Sequence, residues 1–329
     1  MILHNTSIGL NLSNYRRVEE FILLGLTSNR DIQILLFVIF LYFYIISLVG
    51  NIIIIILSRI SSRLHTPMYF FLSNLSFLDI CYTSCIVPKM LIHFLAVKKT
   101  ISFNGCATQM FIHLSLGSTE CYLLLSMAYD RYVAICAPLH YTNIMHPILC
   151  IAMATGSWVG GTLNSIVNTV LALQLPFCGP NVLNHFFCEV PLILELACAD
   201  TSFNKTVLFF FAMFVAMVPF FLILITYCYI ISSILKIRTS VGRRKAFSTC
   251  ASHITVVSLF YGAAIFIYMR PGSTHGVNQD KMATLFYSVI TPMLNPMIYT
   301  LRNKDVIGAL QRTLKQRQKM EGPCWVDRC

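Results

Sequence analysis

The sequence predicts an all-α membrane protein: a bundle of seven transmembrane helices with an extracellular amino terminus and a cytoplasmic amphipathic helix after the seventh span. Three observations predict it. Of 329 residues, 57% are hydrophobic and only 11% are charged, against roughly 25% charged in an ordinary soluble domain. Seven apolar segments reach the ~20 residues that a bilayer core requires. Lys and Arg are in excess on the side that holds the carboxy terminus, which the positive-inside rule reads as cytoplasmic. A net charge of +11 would suit nucleic acid, but the basic residues stand beside apolar runs rather than on a polar domain, which argues against that class.

The elements follow in order. Residues 1–31 form an extracellular amino-terminal segment. Asn5-Thr6-Ser7 and Asn11-Leu12-Ser13 are glycosylation acceptors, with Asn5 and Asn11 as the modified residues, and two before any span agree with an outside terminus. Asn204-Lys205-Thr206 is a third match, weakened by its place near a helix start. The patch Phe21-Ile22-Leu23-Leu24 is too short for a cleavable signal segment, so the first span would serve as the targeting signal.

Residues 32–301 hold the spans: Ile32–Leu57, Pro67–Ile92, Cys106–Tyr132, Ile148–Leu175, Thr206–Leu235, Ala246–Met269 and Met282–Leu301. The inner loops then carry Arg59, Arg63, Lys236, Arg238, Arg243, Arg244 and Lys245, and the tail adds Arg302, Lys304, Arg312, Lys315, Arg317 and Lys319. The outer segments hold fewer: Arg16, Arg17, Arg30, Lys98, Lys99, Lys205, Arg270 and Lys281. Residues 302–329 form the cytoplasmic amphipathic helix and tail, with Val306, Ile307, Leu310 and Leu314 on one face and basic residues on the other. Cys324 and Cys329 read as cytosolic thiols, with palmitoylation as the other option.

The spans are not uniformly apolar. Asp79 and Glu120 lie mid-membrane on adjacent helices, and Asn51 and Asn295 reach the same layer. A buried unpaired acid is strongly penalised, so these groups share protons, water or a cation. Many of the 13 cysteines lie in apolar runs as small hydrophobes. Four are different: Cys106 opens the third span, and Cys178, Cys188 and Cys198 lie in the outer loop near 176–200. Four cysteines allow three pairings, and an extracellular place allows oxidation. The stretch His185-Phe186-Phe187-Cys188-Glu189 also resembles a metal site.

The most specific string is Met127-Ala128-Tyr129-Asp130-Arg131-Tyr132-Val133-Ala134-Ile135-Cys136. Arg131 cannot shed its proton, so it must be paired, solvated or snorkelling. A lone basic residue there would read as a stop-transfer anchor. Other strings accompany it: Gly50-Asn51, Leu64-His65-Thr66-Pro67-Met68-Tyr69, Lys245-Ala246-Phe247-Ser248-Thr249-Cys250-Ala251-Ser252-His253, and Pro292-Met293-Leu294-Asn295-Pro296-Met297-Ile298-Tyr299. In this order and on these spans they resemble the olfactory receptors, a branch of the rhodopsin-like (class A) G protein-coupled receptors. The resemblance covers nearly the whole chain.

The resemblance implies roles. Asp130, Arg131 and Tyr132 would form the G-protein coupling end, with Arg131 swinging to meet the G protein on activation, and Tyr227 and Tyr299 meeting Arg131 when the sixth helix opens. Asn295-Pro296 would kink the seventh helix and let its inner half move. Asn51, Asp79, Glu120 and Asn295 would be a layer that binds sodium and couples to switching; a purely structural hydrogen-bond network would satisfy the same groups. The family pattern pairs Cys106 with Cys188 and Cys178 with Cys198, and a disulfide-bonded Cys188 is a poor metal ligand, so no metal is assigned there. Two departures stand out. Thr226 replaces the usual Ser before the fifth-span tyrosine. The inner end of the sixth span offers Lys245, Ser248, Thr249 and His253 but no acid, so an ion pair between helices cannot hold Arg131 at rest, and Asp130 is the candidate in its place.

The ligand pocket would lie among helices 3, 5, 6 and 7 under the second outer loop. Its lining would be Met110, His113, Leu114, Gly117, Ser118, Phe211, Val215, Tyr261, Ala264, Ile265, Tyr268 and Leu285, with Asn164, Asn168 and Ser288 as additions. That lining suits small, mostly neutral volatiles. No acid stands at His113, where aminergic receptors place their amine-binding carboxylate. The implied partners are such a ligand and a stimulatory, olfactory-type heterotrimeric G protein that raises cyclic AMP, in the plasma membrane of olfactory cilia. A chemosensor for an internal metabolite in another tissue fits the same fold. A transporter would show inverted repeats or broken helix pairs, and no catalytic set points to an enzyme.

Overall fold

A computed structural model describes residues 18–178, 180–268, 277–302 and 306–312. All seven expected segments are long helical rods. Helix α1 spans Arg30–Ile60, α2 Pro67–Leu95 and α3 Phe103–Cys136. After the short α4 (Tyr141–Ile144) comes α5 (Pro147–Leu173), then the short α6 (Val190–Glu195). The fifth rod joins α7 (Ser202–Ala212), a π-helical turn at Met213–Met217 and α8 (Val218–Leu235). The sixth is α9 (Ser240–Tyr268). The seventh joins α10 (Val277–Leu285), a π-helical turn at Phe286–Ile290 and α11 (Thr291–Arg302).

Helix starts are written locally. Asn29 caps α1, its Oδ1 accepting from the backbone N–H groups of Asp31 and Ile32 at 3.0 and 3.2 Å. Ser102 caps α3 by accepting from Gly105 N–H at 3.1 Å. Both satisfy donors that a helix start leaves unpaired. Pro67 and Pro147 open α2 and α5, where a missing N–H costs nothing. The sixth rod begins at Ser240 rather than Ala246, because Thr239 Oγ1 caps it through Gly242 N–H at 3.3 Å. Arg243, Arg244 and Lys245 therefore ride on a helix, not in a loop.

Arg30–Ile60, Pro67–Leu95 and Ser202–Leu235 are each apolar enough to cross a membrane, and so is Pro147–Leu173 with the bent helical stretch before it. Helix α3 does not meet that test. It buries Ser115, Ser118, Thr119, Glu120, Ser126 and Asp130 and packs against α2, α5 and α8, so its polar groups meet neighbouring helices rather than lipid. Helix α1, at the edge, exposes Val38, Tyr42, Ile45 and Ile56.

The two π-helical turns share a cause. Each ends one residue before an X-Pro pair, Val218-Pro219 and Thr291-Pro292. Proline gives no N–H to the carbonyl four residues back, and its ring crowds that carbonyl; a π turn absorbs the misfit. In the seventh rod Thr291 Oγ1 donates to the Phe286 carbonyl at 3.1 Å, satisfying one of the displaced acceptors.

One end of the bundle carries a roof that helix periodicity does not announce. Strands β1 (Glu20–Leu23), β2 (Thr100–Ser102) and β3 (Val182–Leu183) form a sheet in the order β2-β1-β3. β1 runs antiparallel to β2 and parallel to β3. Phe21 and Leu23 point inward while Glu20 and Ile22 stay exposed, so the apolar patch too short for a signal segment serves as the central strand. Disulfides Cys106–Cys188 and Cys178–Cys198, with Cα separations of 5.4 and 5.8 Å, tie the loop to α3 and to itself. Gly25, at φ 73°, turns the chain from β1 toward α1 in a conformation that glycine tolerates best. The Lys281 ammonium donates to Gly25 O at 3.0 Å and Asn184 Oδ1 at 2.7 Å. Counted in the sequence as an outer charge, Lys281 is only 6% exposed.

Asn204 is buried, and its amide donates to the Leu171 carbonyl at 2.9 Å. The third glycosylation triplet is thus a packing position, not an accessible acceptor. Asn5, Asn11, Leu314, Cys324 and Cys329 lie outside the described residues. Residues 306–312 are helical; Val306 and Ala309 are buried against the bundle, and Ile307 and Leu310 are half-buried.

Candidate functional site

Beneath the roof, between α3, the fifth rod and α9, lies a cavity of about 150 Å³. That size admits a benzene-sized molecule when the walls are apolar. His113, Leu114, Gly117, Ser118, Asn164, Val215, Tyr261, Ala264 and Ile265 line it as the sequence indicates. Other expected residues do not. Met110 stands higher and is buried in the cluster around Phe21, Cys106 and Cys188. Phe211 and Leu285 are turned away because each precedes a π turn that breaks the 3.6-residue spacing. Asn168 bonds the Asn164 carbonyl, and Ser288 bonds the Thr284 carbonyl. The side chain of Tyr268 lies outside the described residues.

In their place Tyr82, Cys121, Leu208, Ala212, Met213, Ala216, Met217, Phe260 and Tyr287 reach the cavity. The prolines at 219 and 292 were the available signal for the shifted register in the fifth and seventh rods. Tyr82 had no such signal, since nothing in α2 marks it as facing α3.

The walls are mostly apolar, with a small set of placed polar groups. His113 Nε2 lies 2.9 Å from the Tyr82 hydroxyl and 3.3 Å from that of Tyr287, while the Phe187 ring packs on the imidazole at 4.7 Å. The imidazole is thereby held by α2, the seventh rod and the roof loop at once. Asn164 donates to Ser118 Oγ at 2.6 Å. The Tyr261 hydroxyl is buried beside the Cys121 thiol. No carboxylate lines the cavity, so nothing there neutralises an ammonium group.

His185 belongs to the roof, stacked on Phe186 and edge-on to Phe187. Burial, and after it the nearby Lys281 ammonium, push its pKa from 6.5 down to about 4. A lowered folded pKa means that the roof's packing is intact above 6.5 and weakens as pH falls from there through about 4. Amide hydrogen exchange over residues 182–188 is expected to quicken between pH 7 and pH 5 relative to that of α3, after correction for the intrinsic rate. An unchanged ratio would remove His185 as the cause.

Below the cavity sits the polar layer. Asn295 Nδ2 donates to both carboxylate oxygens of Asp79 at 3.2 Å. Asn51 Nδ2 donates to the Ser47 carbonyl at 3.1 Å. Four oxygens in this layer or just beside it are buried without a hydrogen-bond partner: Asn51 Oδ1, Glu120 Oε1, Asn295 Oδ1 and Tyr299 OH. Pro296 lies inside α11, one residue after Asn295.

At the end away from the roof, Arg131 donates to Asp130 Oδ2 through Nη2 at 2.6 Å and Nε at 3.0 Å. The Tyr141 hydroxyl donates to Asp130 Oδ1 at 2.8 Å. No carboxylate from α9 takes part, which matches the missing acid in the sequence. Tyr227, expected at Arg131 only once the sixth helix opens, has a partner on α9 in this arrangement. Its hydroxyl lies 2.6 Å from His253 Nδ1, and His253 Nε2 lies 3.1 Å from the Leu124 carbonyl. With Nε2–H donating to that carbonyl, Nδ1 accepts from Tyr227, and this tautomer follows from the hydrogen-bond partners. His253 thus pins α9 to both α3 and α8. Tyr132 packs edge-on against Tyr229 at 6.0 Å.

Seven helical rods, a roofed apolar cavity and an Asp-Arg pair at the opposite end define a membrane receptor of the rhodopsin kind rather than an enzyme. The fold is similar to the crystal structure of squid rhodopsin, with a TM-score of 0.69 at 19% identity, over 89% of this chain and 88% of that one. The olfactory receptor family profile matches residues 40–317. Olfactory receptor 2C1 of Mus musculus is 52% identical over 295 residues, 90% of this chain and 95% of its own length. Olfactory receptor-like protein OLF3 of Canis lupus familiaris is 52% identical over 307 residues, 93% and 97%. Olfactory receptor 2C3 of Homo sapiens is 50% identical over 302 residues, 92% and 94%. The chain belongs to the olfactory receptor family, whose members are membrane proteins that work with a small ligand and a G protein.

Proposed function

We propose that this receptor binds small, mostly neutral volatile molecules in the roofed cavity and activates a stimulatory, olfactory-type G protein, raising cyclic AMP. The roof then faces outside, the Arg131 end faces the cytoplasm, and residues 306–312 begin a helix along the inner leaflet. The observation that carries the ligand class is the cavity: about 150 Å³, apolar, with one oriented imidazole and no acid. His113, fixed by Tyr82 and Tyr287, offers a hydrogen bond to a ligand oxygen, and Tyr261 offers a second. Sodium suits the polar layer, because Asn51, Asp79, Glu120 and Asn295 present only hard oxygen donors, several of them unpartnered. When bound, the ion would offset buried carboxylate charge; these four residues would hold it. The olfactory cilium is the site of action in this reading.

The test is cyclic AMP in cells that express this chain with the olfactory stimulatory G protein. Alcohol, aldehyde, amine and hydrocarbon of equal chain length are compared. The oxygenated ligands are expected to act, and the amine to be weaker. His113→Phe and Tyr82→Phe are expected to cost about tenfold in potency for oxygenated ligands, the worth of one hydrogen bond, with little change for a hydrocarbon. Preference for the amine, or equal losses across the series, would overturn the ligand class.

A further inference from the structure

A second cavity, of about 530 Å³, lies at the Arg131 end of the bundle, outside the ligand cavity and the switch. Its walls are the last turn of α1 with Arg59, the loop His65-Thr66, the start of α2 with Phe70, and the start of α5 with Ile151. Leu64, Phe70, Met145 and Ile151 give the cleft an apolar floor, and Ser58, Arg59, His65, Thr66, Ser73 and Asn74 add polar groups. Arg59 is exposed, no carboxylate is among the lining residues, and among the described residues the one ion pair is Arg131 with Asp130. The site is nonetheless built. His65 Nε2 lies 3.0 Å from the Arg59 carbonyl, tying the loop to the end of α1. Thr66 precedes α2 without spending its hydroxyl on a cap. On the bundle's outer face Ile148 and Ile151 are both exposed, so the cleft is continuous with surface that meets acyl chains.

We propose that this cleft binds one anionic glycerophospholipid, its headgroup phosphate on Arg59 and Thr66 and its acyl chains along Phe70 and Ile151. The guanidinium fork matches phosphate geometry. Placing the lipid in the cytoplasmic leaflet rests on the orientation proposed above, and that leaflet carries the negative surface potential; the binding chemistry does not depend on orientation. A sterol would cover the floor and leave the guanidinium without a counter-charge. A soluble phosphate would pair the guanidinium and leave the floor bare.

The experiment measures phospholipid retained by full-length receptor purified in detergent and offered phosphatidylserine or phosphatidylcholine, by native mass spectrometry. Phosphatidylserine is expected to be retained preferentially. Arg59→Gln is expected to lower that retention about fivefold, as for one basic residue at an anionic surface. Arg63→Gln, which removes an exposed charge of the same loop that does not line the cleft, is expected to leave it unchanged. Glycerophosphoserine, which lacks acyl chains, is expected not to displace the lipid. Equal retention of both lipids, equal loss in both arginine variants, or displacement by cholesterol or by glycerophosphoserine would each overturn the proposal. Thr66→Val gives a second reading should Arg59→Gln unfold early; retention at the unaltered level would then count against the site. None of these readouts requires an odorant or a G protein.

Discussion

Gly161→Ala is expected to remove most of the folded receptor. A Cβ at Gly161 would lie 2.6 Å from the Ser115 carbonyl oxygen and 2.8 Å from the Thr119 backbone nitrogen, and closer still to Thr119 Oγ1. Two of these three atoms are backbone, so no rotamer change relieves the overlap. The hydroxyl is not free to swing either, because it donates to the Ser115 carbonyl at 2.8 Å. The helices must separate, and the separation would break what their closeness allows: Ser115 with Thr162 at 3.2 Å, Ser165 with the Phe111 carbonyl at 2.6 Å, and Asn164 with Ser118 at 2.6 Å. Between membrane helices, packing and hydrogen bonds hold the contact, without a strong hydrophobic drive. Overpacking alone costs about 1–3 kcal/mol, and each lost hydrogen bond adds about 0.5–1.5 kcal/mol, against a whole-domain stability of about 5–15 kcal/mol. Gly156→Ala on the same helix is the control: nothing lies within 4 Å of its Cβ, and it is expected to be neutral or mildly stabilising. Surface staining and thermal unfolding of solubilised protein separate the two. Normal folding of Gly161→Ala would mean that α3 and α5 are not in register as described.

The same contact shows what the sequence could and could not declare. The rods were legible as long, mostly apolar segments, with α3 more polar than the rest because its polar groups meet neighbouring helices, and the Asp-Arg string at the end of α3 was legible as a cost that needs a partner. Asp130 is that partner. The disulfides were legible only through the family pattern, since four cysteines admit three pairings. The roof was not legible. Strand β1 is four residues long, and its neighbours β2 and β3 lie about 80 and 160 positions further on, so no local period marks it. The cavity was half legible. His113, Leu114, Gly117 and Ser118 on α3 and Tyr261, Ala264 and Ile265 on α9 fell on the expected faces because those helices keep a regular turn there, whereas Met110 stands too high on α3. Phe211 and Leu285 failed because π turns next to Pro219 and Pro292 rotate the rods, and the turns bring Tyr287 and Ala216 to the wall instead. His253 was noted as one of the non-acidic groups near Arg131. Its bond to Tyr227 was not read, because the tyrosine was considered only for its place once the sixth helix opens.

That bond leads to the second large effect. Arg131→Ala is expected to abolish ligand-stimulated cyclic AMP, whereas His253→Ala is expected to raise cyclic AMP without ligand. Arg131 is held at rest by Asp130, its neighbour on the same helix, so the pair does nothing to keep α9 in place. That task falls to His253, which bonds α3 through the Leu124 carbonyl and α8 through Tyr227. Two hydrogen bonds of about 0.5–1.5 kcal/mol each shift a two-state equilibrium by roughly tenfold or more. A resting population of ~1% active receptor would therefore rise to ~10%. Tyr227→Phe removes one of the two bonds and also a group that the family pattern assigns to the active state, so its basal signal is expected to rise less. Because Arg131→Ala leaves Asp130 buried with only Tyr141 beside it, Arg131→Lys is measured alongside: it keeps the charge but loses the fork, and it is expected to reach the surface and signal weakly. The Arg131→Ala, His253→Ala double variant is expected to be silent if, as the family pattern implies, the sixth helix opens and the G protein meets Arg131. A double variant with high basal signal would take Arg131 out of the coupling step. A quiet His253→Ala at normal surface level would leave the resting state held by something other than this clamp.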